Sequence, residues 1–203
     1  MQMHLVTPEQ IEAERIMNIA SCMYSDVTAI HIRQKSLPAH QIELLARQLL
    51  HSGIPASKLV LNEHYTLAAQ MELGGTHLPE HVPLALDRAR FGLRIGRSVH
   101  SLEAALAAER EGCDYVFFGH VYATTCKLGI AARGLVILEQ LCDKLRIPVI
   151  AIGGIKPEHV GELQRAGASG IAVMSGIFAA EQPQRQLERY REQLARYAAS
   201  AIE

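Results

Sequence analysis

The sequence predicts an eight-stranded (β/α) barrel that forms a single domain over residues 1–203. Short apolar runs rich in β-branched residues alternate with amphipathic stretches along the whole chain, a pattern typical of parallel strands joined by helices. The last two apolar runs, Pro148–Ile155 and Gly170–Ile177, are broken by glycine-containing turns. Because buried parallel strands that open into tight loops are the repeating unit of this fold, we expect a compact TIM barrel.

The predicted strands are short apolar runs that end at a polar residue or a glycine. In chain order they cover 3–7, 27–33, 58–62, 76–78, 93–99, 115–120, 148–155 and 170–177. Every strand ends on the same edge of a barrel, so the residues that follow the strands should converge on one rim.

The predicted helices carry apolar residues at helical spacing, and several have capping signals. They cover 8–22, 38–52, 64–71, 102–111, 135–145, 157–166 and 181–199. Thr7-Pro8 suits the start of the first helix, and Ser101 is placed to cap the helix that contains Glu103 near its positive end. The stretch 121–134 has no strong periodicity and is predicted to be a long loop, which in such folds is often functional.

Composition excludes several classes of function. The formal net charge is −1 and tryptophan is absent, so we predict no nucleic-acid partner. No apolar run reaches the length of a membrane span, and we expect a cytoplasmic protein without a membrane partner. The four cysteines and ten histidines show no metal-ligand spacing, and dinucleotide and Walker glycine patterns are absent, so neither a metal nor a cofactor is predicted.

The glycine turns at the ends of the last two strands predict a phosphate site. Gly153, Gly154 and Gly176 allow the backbone to approach a ligand closely, and amides that lead into helices favour anions. In TIM barrels the loops after the seventh and eighth strands are the usual phosphate-binding position.

The strand exits hold the candidate chemical groups. They are Thr7, Arg33 with Lys35, Asn62 with Glu63, His77, Ser98 with His100, His120, Gly153 with Gly154, and Ser175 with Gly176. Arg33 suits an acidic group on a substrate, and its alternatives are a solvated rim or an ion pair with Glu63. His120 is the candidate general acid and base, because imidazole can take and give a proton near neutral pH. His31, His77 and His100 are competing candidates.

Several of these segments together resemble the thiamine phosphate synthase superfamily. They are His31-Ile-Arg-Gln-Lys35, Leu59-Val-Leu-Asn62, His77-Leu-Pro79, Ile95-Gly-Arg-Ser-Val-His-Ser101, Phe118-Gly-His-Val-Tyr122, Cys126-Lys127, Ile150-Ala-Ile-Gly-Gly154 and Gly170-Ile-Ala-Val-Met-Ser-Gly-Ile177.

Departures from the synthase pattern favour the thiazole tautomerase (TenI-like) branch of that superfamily. Synthases of this kind carry Asn-Asp-Arg after the third strand and a further aspartate after the fourth, and these acids hold Mg²⁺. This chain instead has Glu63 at the first place and lacks the second acid. His120 stands where the synthase loop has proline, and Cys126 replaces a threonine.

The resemblance to the tautomerase branch implies an isomerase that aromatises a carboxythiazole phosphate by proton transfer alone. His120 would move the proton, and the amides of Gly153, Gly154, Met174 and Ser175 would hold the phosphate. Arg33 with Lys127 would pair with the carboxylate, while Asn62 and Ser98 would complete the substrate-binding set. The resemblance also suggests a homodimer.

Two alternatives stay open. One is a Mg²⁺-dependent thiamine phosphate synthase in which Glu63 replaces the usual aspartate as a metal ligand. The other is a regulatory protein that binds a thiazole phosphate without turnover.

Overall fold

The barrel is closed and its strands follow one another in chain order. The computed structural model describes residues 1–82, 84, 92–124, 129 and 131–199, with the side chains of 198 and 199 excepted. Within these residues, eight parallel strands form one ring in which the first strand pairs with the eighth. They are β1 (Gln2–Val6), β2 (Ala29–Ile32), β3 (Leu59–Asn62), β4 (Gly75–Leu78), β5 (Arg94–Val99), β6 (Tyr115–Gly119), β7 (Val149–Ile152) and β8 (Gly170–Val173). The predicted fold is confirmed.

The described helices surround the ring. They are α1 (Ala13–Met23), α2 (Ala39–His51), α3 (Tyr65–Gln70), α4 (Leu102–Arg110), α5 (Gly134–Lys144), α6 (Val160–Arg165), α7 (Ser175–Phe178) and α8 (Pro183–Ala199), with short 3₁₀ turns at Tyr24–Asp26, Ala56–Lys58 and Pro157–His159. Among the described residues, none of these helices combines the length and the apolar character that a membrane crossing requires.

The start of the first helix was predicted wrongly. The helix α1 begins at Ala13 and not at Pro8. The Thr7 hydroxyl oxygen does not cap a helix, because it accepts hydrogen bonds from the backbone N–H of Arg33 at 2.9 Å and from the Gln34 amide at 3.2 Å. Thr7 therefore joins the exits of β1 and β2. By contrast, the Ser101 hydroxyl oxygen accepts the N–H of Ala104 at 3.1 Å, which confirms the predicted cap of α4.

Most of the apolar core lies between the strands and the helices. Fully buried side chains such as Leu5, Ile30, Leu61 and Phe118 point outward from the ring and pack against the helices. A second, smaller apolar cluster fills the inside of the ring and includes Phe117. Inward-facing and outward-facing residues alternate along every strand.

Candidate functional site

The glycine turn after β7 takes a backbone conformation that other residues rarely adopt. Gly153 has φ of +100° and Gly154 has φ of +66°. A Cβ atom at position 153 would lie 2.4 Å from the Cα atom of His120, and one at 154 would lie 2.3 Å from the carbonyl oxygen of Ala123. Both glycines are therefore required because the loop after β6 lies directly against this turn.

The connection after β8 leads directly into the one-turn helix α7, so Gly176, which the sequence placed in a turn, is a helical residue. Met174 precedes that helix, and its carbonyl accepts the N–H groups of Ile177 and Phe178. The amides at the start of a helix have no partner within the helix. At its other end, the guanidinium of Arg15 donates to the carbonyl of Phe178 at 3.0 Å. Gly153, Gly154, Met174 and Ser175 thus lie on the two adjacent turns that follow β7 and β8.

Arg33 lies at the exit of β2, where it is partly exposed. Its guanidinium is 3.5 Å from the carboxylate of Glu9, so the acidic partner is Glu9 and not Glu63, the partner weighed in the sequence analysis. The second carboxylate oxygen of Glu9 accepts the N–H of Ser36 at 2.8 Å. Because an ion pair of this length and exposure is weak, Arg33 can exchange Glu9 for an anionic ligand.

Two residues with side-chain oxygens, Asn62 and Glu63, lie at the end of β3. Asn62 pairs in register with His77 of β4, so its side chain shares the inner face of the barrel. The Oδ1 atom of Asn62 is buried and has no hydrogen-bond partner among the described residues. Glu63 is exposed and has a positive φ of 70°, with its N–H donating to the carbonyl of His77 at 3.0 Å. Glu63, which carries a carboxylate, therefore has a strained backbone conformation at the rim.

Ser98 connects the rim to the interior of the barrel. Its hydroxyl lies 2.9 Å from Nε2 of His77, and Nδ1 of His77 lies 3.4 Å from the hydroxyl of Tyr115. Burial lowers the pKa of His77 to about 3, so the imidazole is neutral. His77 is therefore an interior hydrogen-bonding residue that orients Ser98.

A further pair of histidines lies beneath His77. With His77, Tyr115 and Phe117 they form what we call the histidine cluster: His4, His31, His77, Tyr115 and Phe117. Nε2 of His4 donates to Gln2 at 3.0 Å, so its Nδ1 accepts from Nε2 of His31 at 2.9 Å. The remaining Nδ1 of His31 is buried and has no hydrogen-bond partner within the described ranges.

Sequence reasoning missed this cluster. Burial lowers the pKa of His4 to about 3 and that of His31 well below its ordinary value. The missed signal is alternation: residues 4 and 6 of β1 share a face, and Val6 belongs to the interior apolar cluster.

His120 is buried, with a positive φ of 39°. Its Nε2–H donates to the carbonyl of Ala131 at 2.9 Å, and its own carbonyl accepts the N–H of Arg133 at 3.1 Å. These contacts hold the start of α5 against the end of β6.

Three further rim candidates remain. Nδ1 of His100 forms a 2.7 Å contact with the carboxylate of Glu80. Lys127 and Cys126 lie outside the described residues.

Fold and site together define a class: a (β/α)₈ barrel whose strand exits carry a glycine turn, a short helix, an arginine and a hydrogen-bonded serine. A family model described as thiamine monophosphate synthase matches residues 3–177. The chain therefore belongs to the thiamine monophosphate synthase family, which is a family of enzymes.

Named relatives agree with this assignment. The chain is 38% identical over 160 residues to a protein named thiamine-phosphate synthase from Chlorobium luteolum, covering 76% of each chain. It is 34% identical over 170 residues to one from Chloroflexus aurantiacus, covering 80% of this chain and 77% of that one. A solved structure of thiamine phosphate pyrophosphorylase from Pyrococcus furiosus superposes with a TM-score of 0.79 at 26% identity, over 97% and 96% of the two chains.

These comparisons correct the predicted function. The relatives are named as synthases, which are transferases, so the assignment as a thiazole tautomerase and isomerase is wrong. Two of the four departures that favoured it also have a structural explanation. Glu63 keeps a carboxylate at the rim, and the Nε2–H of His120 is used in a contact with the chain's own backbone.

Proposed function

We propose that this protein is a thiamine phosphate synthase. It would join a pyrimidine diphosphate to a thiazole phosphate. The bond between the pyrimidine methylene carbon and the diphosphate oxygen breaks, the diphosphate leaves with the electron pair, and the thiazole nitrogen forms the new bond to carbon. The observation that carries this proposal is the similarity to proteins of that name over most of the chain.

The site supports this proposal with an anion-binding arrangement. We assign the phosphate of the thiazole to the amides of Gly153, Gly154, Met174 and Ser175, on the two turns where such barrels bind phosphate. Arg33 is assigned to the diphosphate, because a guanidinium can form two parallel bonds to its oxygens.

Three further side chains complete the proposed set. Ser98 is assigned as a polar contact to the substrate, oriented by His77. His120 becomes a residue that positions the loop after β6, in keeping with its bond to Ala131. Lys127 is kept as a candidate cationic contact on the basis of its sequence motif.

Synthases of this family use Mg²⁺, and Asn62 and Glu63 at the end of β3 fit such an ion. Within the described ranges, no group of three or more His, Cys, Asp or Glu side chains could hold a metal. Mg²⁺ requires fewer protein ligands when substrate phosphates and water supply the others. Asn62 Oδ1 lacks a hydrogen-bond partner among the described residues, and Glu63 is an exposed carboxylate, so these two would hold the ion. When bound, Mg²⁺ neutralises charge on the departing diphosphate.

The test is formation of thiamine phosphate from the two substrates, with and without Mg²⁺. Glu63→Gln should lower the rate at least about tenfold and raise the Mg²⁺ concentration needed for half-maximal rate, since a ligand oxygen is replaced by an amide nitrogen. Glu63→Asp should retain most activity.

The matched control is Glu72→Gln. Glu72 is also an exposed acid with positive φ, at 52°, but it lies between α3 and β4 on the opposite face of the barrel. It should behave as the wild type. Equal rates for Glu63→Gln and Glu72→Gln would contradict the assignment of the metal ligand.

A further inference from the structure

Tyr122 lies three residues beyond β6, against the glycine turn after β7. Its N–H donates to the carbonyl of Gly153 at 3.1 Å. An added Cβ at Gly154 would come 2.9 Å from both the Cβ atom and the carbonyl oxygen of Tyr122. The backbone at Tyr122 therefore packs against the turn that carries the proposed phosphate amides.

The side chain of Tyr122 contacts the far end of the loop that follows β7. Its ring stacks on the imidazole of His159, with 3.9 Å between ring centroids and 21° between ring planes. Nδ1 of His159 accepts the N–H of Lys156 at 3.2 Å. The Tyr122 hydroxyl donates to the carboxylate of Glu162, on α6, at 2.6 Å. Partial burial and the Glu162 carboxylate raise the pKa of Tyr122, so the hydroxyl keeps its proton.

We propose that Tyr122 is a positioning residue that holds the loop 153–159 in its phosphate-binding conformation. Its backbone fixes the beginning of the loop at Gly153, and its side chain fixes the end at His159 and Glu162. The inference rests on the proposed function in taking a thiazole phosphate as the ligand of this loop.

The need for such a residue follows from the glycines. Gly153 and Gly154 have more accessible backbone conformations than other residues, so ordering them on ligand binding costs conformational entropy. A loop already held by contacts at both ends loses less entropy when the phosphate binds, and its amides are aligned beforehand. Tyr122 should therefore act on the affinity for the phosphate group and hardly on the rate of the chemical step.

The experiment measures binding by calorimetry with two probes, hydroxyethylthiazole phosphate and the same thiazole without its phosphate. Tyr122→Leu removes both the stack and the hydroxyl, and should weaken binding of the phosphorylated probe at least about tenfold, which corresponds to about 1.4 kcal/mol. Binding of the unphosphorylated probe should change less than about twofold. In turnover, KM for the thiazole phosphate should rise while kcat is retained.

Matched variants separate positioning from a general loss of structure. Tyr24→Leu alters a partly buried tyrosine at the end of α1, on the opposite face of the barrel, and should leave both probes unaffected. Tyr122→Phe keeps the stack and should weaken the phosphorylated probe about threefold. Glu162→Gln keeps an acceptor oxygen and should bind as the wild type, whereas Glu162→Leu should match Tyr122→Phe.

The inference is overturned if Tyr122→Leu binds the phosphorylated probe as tightly as the wild type, or if it weakens both probes equally. Should Tyr122→Leu fail to fold, wild-type affinity in both Tyr122→Phe and Glu162→Leu overturns it instead. A wild type that binds the phosphorylated probe but makes no thiamine phosphate would refute the proposed function, and the binding series would still decide the role of Tyr122.

Discussion

The three histidines of the histidine cluster are compatible with the interior of the barrel because they are uncharged. His4, His31 and His77 lie among the rings of Tyr115 and Phe117, with the guanidinium of Arg94 5.4 Å from the Tyr115 ring centroid. Burial is the largest cause of their lowered pKa values, and charge on neighbouring histidines and Arg94 lowers that of His31 further. Protonation of any of them would place a charge in the middle of the barrel.

Folding stability should therefore fall in acid. The pKa is lowered from about 6.5 to about 3 for His4 and His77, so the unfolded chain binds more protons below pH 6.5. Their contribution is fully present above pH 6.5 and is lost as the pH falls towards 3. The variant His31→Gln keeps hydrogen-bonding groups but has no titrating group at this position. On acidification its unfolding free energy should therefore fall less steeply than that of the wild type, by up to about 1.4 kcal/mol per pH unit. Denaturant unfolding of the wild type and of His31→Gln between pH 7.5 and 5 measures this difference. Unfolding free energies that fall equally with pH in the two proteins would contradict the expectation.

At the scale of elements, the site is built from neighbouring loops that fix one another. The loop after β6 contacts the glycine turn after β7 through His120, Tyr122 and Ala123. The Tyr190 hydroxyl on α8 then donates to the carbonyl of Ile155 at 2.7 Å. The glycines are necessary because of this close approach as well as because of their positive φ.

Two alanine substitutions distinguish these requirements. Gly53→Ala places a side chain at φ of +93° in open space, whereas Gly153→Ala places one at φ of +100° against the backbone of His120. We expect Gly53→Ala to cost about 1–2 kcal/mol of unfolding free energy from backbone strain alone. Gly153→Ala should cost more and should also abolish binding of a thiazole phosphate. Chemical denaturation and calorimetry check both; equal costs in the two variants would mean that the close contact is unimportant.

At the scale of the whole molecule, the last helix packs against the first helix and against the helices that follow β7 and β8. The helix α8 packs against α1, α6 and α7, and its Leu187 and Tyr190 are buried. Gly176 fits beneath Tyr190, whose hydroxyl would lie 2.7 Å from a Cβ added there.

Tyr190 should therefore stabilise the whole barrel and also the site. Tyr190→Phe loses one hydrogen bond and should reduce the unfolding free energy by about 1 kcal/mol, while Tyr190→Ala should reduce it by about 3–5 kcal/mol because it leaves a cavity. Thermal unfolding measures both. A loss for Tyr190→Ala no larger than that for Tyr190→Phe would contradict the packing role. The predicted homodimer stays a prediction, which light scattering can test.

The sequence predicted the barrel because alternating strands and helices leave a strong periodic signal, and it placed the glycine turn after β7 because that position follows strand order. Gly176 was misplaced, since it lies within α7 beneath Tyr190. It could not place Thr7 or identify Glu9 as the partner of Arg33, since both contacts depend on the approach of β1 to β2. The interpretation of Glu63 and His120 as marks of a different activity was wrong because a residue type at a strand exit does not reveal where its side chain is used.

The most direct measurement of the central claim is the joint yield of thiamine phosphate and diphosphate from the pyrimidine diphosphate and the thiazole phosphate, followed by chromatography in the presence of Mg²⁺. We expect both products to form in equal amounts, at a rate proportional to enzyme concentration and lost when Mg²⁺ is chelated. Absence of thiamine phosphate at high enzyme concentration, or release of diphosphate without it, would contradict the assignment as a thiamine phosphate synthase.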